Sequence, residues 1–299
     1  MTPLSGQFPP IPTPFEGGRV SGAKLAENIA RWNEKPLAGY VVLGSNGEAP
    51  LLEDDERREV LRAARRAIPQ GKRLLIAGTG RESTVAAVRA TKEAFDLGAD
   101  AVIVGVPHYY KPQYTAAVLE AHLRAVADAA AGPILLYSVP QFTGVPVPPA
   151  VAEALASHPR VAGIKDSGGD LGALRTLLDV GRRAGKPFAV LVGSARVWAS
   201  GLLAGAAGGV LAVAAVAPDL CAEIAALARR GDDAAALAAG ERLGPLAAAV
   251  TRVHGIGGLK AALDLLHYHG GDPRPPLAPA TPAARLEIAA HLRSLGLLT

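Results

Sequence analysis

The chain has 299 residues, of which 49% are apolar and 19% charged, and a formal net charge of +4. That length suits one large domain of the α/β-barrel kind or two ordinary domains, with a sizeable core in either case. A single cysteine, Cys221, excludes an intramolecular disulfide and any cysteine-based zinc site, and the 31 basic residues form no stripe interleaved with aromatics, which sets nucleic acid aside.

Strand-like and helix-like segments alternate from the start. A short strand is predicted at 8–12 and a helix at 22–35. The strand predicted at 39–43 is apolar throughout, as strands covered on both faces are. The helix at 53–67 interleaves Arg57, Arg58, Arg62, Arg65 and Arg66 with Glu53, Asp54, Asp55, Glu56 and Glu59, a salt-bridged solvent face. A strand at 73–77 leads to a helix at 83–97 with Ser83 as its N-cap. Strand and helix then repeat at 101–104 and 115–129, at 133–137 and 148–157, at 161–165 and 170–183, and at 189–192 and 196–204. A last strand at 209–212 precedes helices at 218–230, 232–249, 258–267 and 282–296.

Eight strands thus fall within the first 213 residues, each followed by a helix. Repeated βα units imply parallel strands joined by right-handed crossovers, and eight of them imply a closed (β/α)8 TIM barrel. The expected division is a catalytic barrel over 1–217 and an appendage of additional C-terminal helices, packed on the barrel, over 218–299. An open doubly wound sheet is the competing fold. It is disfavoured because no glycine fingerprint follows the first strand, and Gly78-Thr79-Gly80 is only a partial match to a dinucleotide loop. The N-terminus shows no leader pattern, and stretches such as 204–217 are broken by glycines and too weakly apolar to span a bilayer. A soluble cytoplasmic protein is expected.

In such a barrel the reacting groups stand at the C-terminal ends of strands. Lys165 ends the run Val161-Ala162-Gly163-Ile164-Lys165. An ammonium buried without a partner is costly, which favours the neutral amine, a nucleophile toward carbonyl carbon. Tyr137 ends the preceding strand, so its phenol is expected beside Lys165 as a proton shuttle. Successive N–H groups of Gly44-Ser45-Asn46-Gly47 can form a nest for a small carboxylate, assisted by the Ser45 hydroxyl. Glu48 and Asp166 are assigned structural roles, the first as a fold-fixing acceptor and the second as a cap on local backbone. The histidines show no ligand spacing and no metal site is expected. Singly, each residue fits a plain structural role: Lys165 paired with Asp166, Tyr137 a core tyrosine, Tyr110 a loop anchor on Pro112. Jointly, at successive strand ends, they point to catalysis.

The motifs Gly44-x-x-Gly47-Glu48, Tyr109-Tyr110, Tyr137-x-Val139-Pro140-x-x-Thr143-Gly144 and Gly163-Ile164-Lys165-Asp166-Ser167 resemble, in that order, those of the dihydrodipicolinate synthase / N-acetylneuraminate lyase family of pyruvate-dependent class I aldolases. The resemblance runs from about Gly6 into the C-terminal helices. Within the family, Gly-Ser-Asn-Gly-Glu at 44–48, Leu-Tyr-Ser-Val-Pro at 136–140 and Lys-Asp-Ser-Gly-Gly-Asp at 165–170 are most similar to the 4-hydroxy-2-oxoglutarate aldolase branch.

The resemblance implies a lyase in which Lys165 forms an imine with the 2-oxo group of substrate and Tyr137 relays protons at the C4 oxygen. Ser45 would link Tyr137 to Tyr110, the latter reaching in from a neighbouring subunit of a homotetramer built as a dimer of dimers. Ser45 and Asn46 would hold the C1 carboxylate. Ser167 and Gly193 would lie near the distal part of the substrate, with Ser167 and Ser194 as hydroxyls for a second carboxylate. No cofactor is implied beyond the covalent imine. The expected reaction splits 4-hydroxy-2-oxoglutarate reversibly into pyruvate and glyoxylate. The alternative is a synthase condensing pyruvate with aspartate semialdehyde. Phe142 speaks against that, because it stands where those synthases carry an arginine for the aldehyde's carboxylate. A third reading is a barrel that binds a 2-oxo acid without turning it over.

Overall fold

A computed structural model describes residues 4–299. Its contacts divide the chain into two compact units, one formed by residues up to Gly6 together with Ile76–Val210, the other by Gln7–Leu75 and Leu211–Thr299.

The strands are β1 (Gly6–Gln7), β2 (Phe15–Glu16), β3 (Arg19–Val20), β4 (Gly39–Val42), β5 (Leu74–Gly78), β6 (Ala101–Gly105), β7 (Ile134–Ser138), β8 (Val161–Asp166), β9 (Ala189–Val192) and β10 (Gly208–Gly209). Eight of them form one sheet in the order β1-β10-β9-β8-β7-β6-β5-β4. The ladders from β5 through β10 are all parallel, and each strand pairs with the next in sequence. Pro10, just past β1, bridges Val41 of β4 in the parallel sense. This order, with a helix in each crossover, is the winding of a (β/α)8 TIM barrel with helices beyond it at the C-terminus.

The strands hold because they are apolar on both faces: β4 and β7 are buried at every residue. The helices are set by their caps. Ser83, Thr115, Asp170 and Thr281 each accept from the backbone N–H three residues on. Helix Asp54–Ala67 starts with a reciprocal Glu53/Glu56 capping box. Each such cap stabilises its helix by about 1 kcal/mol. Cys221 is buried, and burial pushes its thiol well above the usual range, as befits a small apolar core residue.

Several elements differ from the sequence expectation. The last strand, expected at 209–212, is only Gly208–Gly209, and the helix expected at 196–204 opens with a 3-10 turn, Ala195–Val197. The first strand is displaced from 8–12 to Gly6–Gln7, leaving a single bridge at Pro10, because Pro9, Pro10 and Pro12 have no N–H to give a ladder. A hairpin, β2–β3, turns on Gly17-Gly18, both at positive φ, the two-residue turn that only glycine-like backbones enter freely. Between β7 and the helix Pro149–Ala156 lies one further short helix, Pro140–Thr143.

Candidate active site

The first unit carries the lysine. Across β7 and β8, Ile134 pairs with Val161 but Leu135 pairs with Gly163, so Ala162 is one residue extra. That bulge resets the register. Without it Tyr137 would stand opposite Ile164; with it Tyr137 stands opposite Lys165. Because side chains alternate along a strand, the one-residue shift brings Lys165 to the face of Tyr137 instead of the reverse face. Lys165 Nζ lies 4.2 Å from the Tyr137 ring centroid. The lysine is only 5% exposed. Among the described residues no carboxylate lies within ion-pair distance of it, so the pairing with Asp166 that a bland reading allows is not formed. Asp166 alternates away and caps its own turn, accepting from the Gly168 N–H at 3.2 Å. Burial raises the Asp166 carboxyl above its ordinary range, opposed by that N–H and by the Ser138 hydroxyl.

The ends of β7, β8 and β9 are clasped laterally. Ser167 N–H donates to Ser138 O at 2.9 Å, and Gly193 N–H donates to Asp166 O at 2.6 Å. Arg196, in the loop after β9, donates from Nε (3.1 Å) and from one Nη to Gly169 O, in the loop after β8. A side chain at Gly193 would run into Ser167 Oγ, and one at Gly169 would meet Ser194 Oγ at 2.9 Å. Gly193 thus abuts Ser167, and Gly169 abuts Ser194.

Tyr110 belongs to the same unit, on the loop after β6. Its ring meets Tyr109 edge to face at 4.9 Å, and the two are 62% and 76% exposed. The loop is braced by Glu82, whose carboxylate accepts the His108 and Tyr109 N–H groups and pairs with the His108 ring at 2.7 Å. Phe142 is 60% exposed.

The second unit carries Ser45 and Asn46, in the loop after β4. Here the expected nest is narrower than the sequence suggests. The N–H groups of Gly47 and Glu48 turn back onto the carbonyls of Gly44 and Ser45, so they are not offered to an anion. Thr13 pins the turn from below by donating to Gly47 O at 2.7 Å. Glu48 has the structural role expected of it: its carboxylate is buried against Lys260 at 2.7 Å and accepts the Arg274 N–H at 2.7 Å.

Residues 3–295 match the Dihydrodipicolinate synthetase family. The chain belongs to that family. Its members are pyruvate-dependent class I aldolases, hence lyases. A 4-hydroxy-tetrahydrodipicolinate synthase of Synechococcus sp. (strain CC9605) is 40% identical over 170 residues, 56% of this chain and 55% of that protein. Its counterpart from Thermodesulfovibrio yellowstonii is 34% identical over 231 residues, 77% of each chain. The chloride-inhibited dihydrodipicolinate synthase of Acinetobacter baumannii, solved with pyruvate, superposes with a TM-score of 0.89 at 28% identity, covering 98% of this chain and 99% of that one.

Two features of this aldolase escape sequence reasoning. Lys260 is the only cation in the apolar run of helix Gly255–Leu265, a visible signal, but its partner lies more than two hundred residues away. Arg196 directly follows Gly193-Ser194-Ala195 at a strand end, where the rule that finds Lys165 also points. Among the described residues no group of three acidic, histidine or cysteine side chains could hold a metal ion, and no helix is long and apolar enough to cross a membrane.

Proposed function

We propose that this aldolase makes or breaks the carbon–carbon bond between pyruvate and a small aldehyde that carries a carboxylate. The observation that carries the reading is Lys165, buried at a strand end beside Tyr137 and without a carboxylate partner. Its amine attacks the 2-oxo carbon and the carbonyl oxygen leaves as water. The resulting iminium is an electron sink. In the joining direction C3 loses a proton to give the enamine, C3 attacks the aldehyde carbon, and the aldehyde oxygen takes up a proton. Hydrolysis of the new iminium returns the lysine. Tyr137 relays the proton to and from the C4 oxygen. Ser45 and Asn46 are the residues we assign to the C1 carboxylate, and Ser167, Gly193 and Ser194 those for the distal part. The covalent imine takes the place of a cofactor. Tyr110, exposed with Tyr109, is assigned to a neighbouring subunit's site in a homotetramer.

The names of the relatives favour aspartate semialdehyde as the acceptor, and thereby the synthase reaction over cleavage of 4-hydroxy-2-oxoglutarate. Phe142 counts against the usual synthase arrangement, because its ring cannot form the bidentate pair that an arginine makes with a carboxylate; glyoxylate carries a carboxylate too, so either acceptor needs its charge met elsewhere. Borohydride reduction with pyruvate, then peptide mass mapping, tests the common step. A reduced adduct on Lys165 is expected; none on a folded protein leaves a non-catalytic 2-oxo-acid binder. Offering glyoxylate and aspartate semialdehyde in turn and following pyruvate consumption identifies the acceptor.

A further inference from the structure

We infer that Arg196 is the receptor for the carboxylate of the aldehyde partner, and so selects carboxylate-bearing aldehydes over neutral ones. The inference rests on the imine reading of Lys165 given above.

Arg196 stands in the 3-10 turn Ala195–Val197 that follows β9, the strand whose Leu191 is in register with Lys165. Among the described residues its guanidinium is anchored at one point, the carbonyl of Gly169 in the loop that follows the lysine strand. A guanidinium has further N–H donors beyond those two, arranged as a planar fork that fits a carboxylate. Among the described residues no carboxylate lies within ion-pair distance of it. Arg57, Arg124, Arg182, Arg183, Arg274 and Arg285, by contrast, each face an acidic side chain. Arg196 is thus an exposed cation held in place by a neutral acceptor, with no carboxylate paired to it among the described residues.

Its surroundings are those of an anion receptor. The missing side chain of Gly169 leaves open the space between Ser194 Oγ, which a Cβ there would approach to 2.9 Å, and Arg196 Nε, which it would approach to 3.5 Å. The missing side chain of Gly193 leaves the space taken by the buried Ser167 hydroxyl. Two hydroxyl donors and one guanidinium therefore line adjoining loops, both springing from the strand ends next to the nucleophile. Phe142 offers no charge, so Arg196 supplies the cation that a second carboxylate needs.

The experiment compares the unmodified protein with Arg196→Gln and Arg196→Lys. Borohydride trapping with pyruvate is read first, then KM for glyoxylate and for aspartate semialdehyde against acetaldehyde, a neutral acceptor, with melting temperatures alongside. Trapping of pyruvate and turnover of acetaldehyde are expected to survive in Arg196→Gln. KM for the carboxylate-bearing acceptor should rise about 10- to 100-fold, the worth of one lost charge-assisted hydrogen bond. Arg196→Lys should recover part of it. If acetaldehyde and the charged acceptors suffer equally, or the melting temperature falls with them, Arg196 only braces Gly169 and the inference is overturned. Unchanged KM values overturn it too. Absence of a Lys165 adduct in the unmodified protein overturns the imine reading itself.

Discussion

Glu48 and Lys260 meet at 2.7 Å with neither side chain reached by solvent. The pair joins the turn after β4 to helix Gly255–Leu265 within the second unit. Both ions are well supported. Lys260 Nζ also donates to Asp272 O at 3.0 Å and lies 4.4 Å from the Phe15 ring centroid; Glu48 also accepts the Arg274 N–H. Glu48 itself sits at φ 57°, a left-handed conformation a glutamate enters only at a cost. Burial pulls the Lys260 ammonium below its ordinary range while Glu48 pulls it back up. Lys260→Met leaves a buried carboxylate without its cation and is expected to cost about 3–5 kcal/mol. Glu48→Gln combined with Lys260→Met should cost less than the single change. Urea unfolding of the three proteins decides it, and a single variant no less stable than the double removes the argument.

Lys165 is legible in the sequence because an apolar strand ending in a lysine is rare enough to notice, and Tyr137 because it ends the strand before. That they stand side by side follows from adjacent strand ends; the register that sets them directly opposite is not legible. It depends on the bulge at Ala162, and nothing in Val161-Ala162-Gly163 fixes which strand carries the extra residue. The helix caps at Ser83 and Asp170 are local and readable; the first strand is misplaced because apolar character at 8–12 outweighs the missing N–H groups of three prolines. Lys260 and Glu48 each look unremarkable alone, since a pairing over that sequence distance is written only in the packing.

Lys165→Ala should abolish turnover and the reduced pyruvate adduct while leaving the fold intact. The lysine makes no ion pair among the described residues, and the neighbouring Asp166 carboxylate keeps its Gly168 N–H when the ammonium is removed. Circular dichroism and borohydride trapping on the same sample check both halves. Residual steady turnover in the alanine variant is incompatible with the imine.

Tyr137→Phe keeps the ring beneath Lys165 and deletes only the phenol oxygen. Turnover should fall about 10²–10⁴-fold, the usual worth of a positioned acid/base. Trapping of pyruvate should be affected less than carbon–carbon bond making, because the aldehyde oxygen is the group that needs the proton. Single-turnover measurements separate the two steps, and near-wild-type bond formation contradicts the assignment.

Glu56 gives the acid limb of stability a readable component. Arg274 faces it with two N–H groups and holds its carboxyl below the ordinary value of 4.5, against a smaller opposing effect of burial. The unfolded chain therefore binds more protons than the folded one between the two pKa values. The pair's contribution is fully present above the ordinary value and is lost as pH falls through the folded one. Glu56→Gln, which keeps an N3 side chain able to accept the Glu53 N–H, should lose about 1–2 kcal/mol at neutral pH. Its stability should also fall less steeply on acidification. Urea midpoints across the acid range test the slope; parallel curves for the two proteins refute it.

Gly193→Ala tests the clasp between β8 and β9. The backbone N–H of Gly193 is tied to Asp166 O at 2.6 Å, so the residue cannot retreat without breaking that bond. A methyl group there runs into Ser167 Oγ and comes within 2.7 Å of Asp166 O. Overpacking of this kind costs about 1–3 kcal/mol, and here the strain falls on the loop beside Lys165. Reduced stability and reduced turnover are both expected. Ser167→Ala in the same chain separates the causes: it removes the hydroxyl but not the carbonyl, so recovery of stability identifies Ser167 Oγ as the obstacle. An alanine variant that melts and turns over like the parent shows that the loop yields, and the clasp then has no hold on the site.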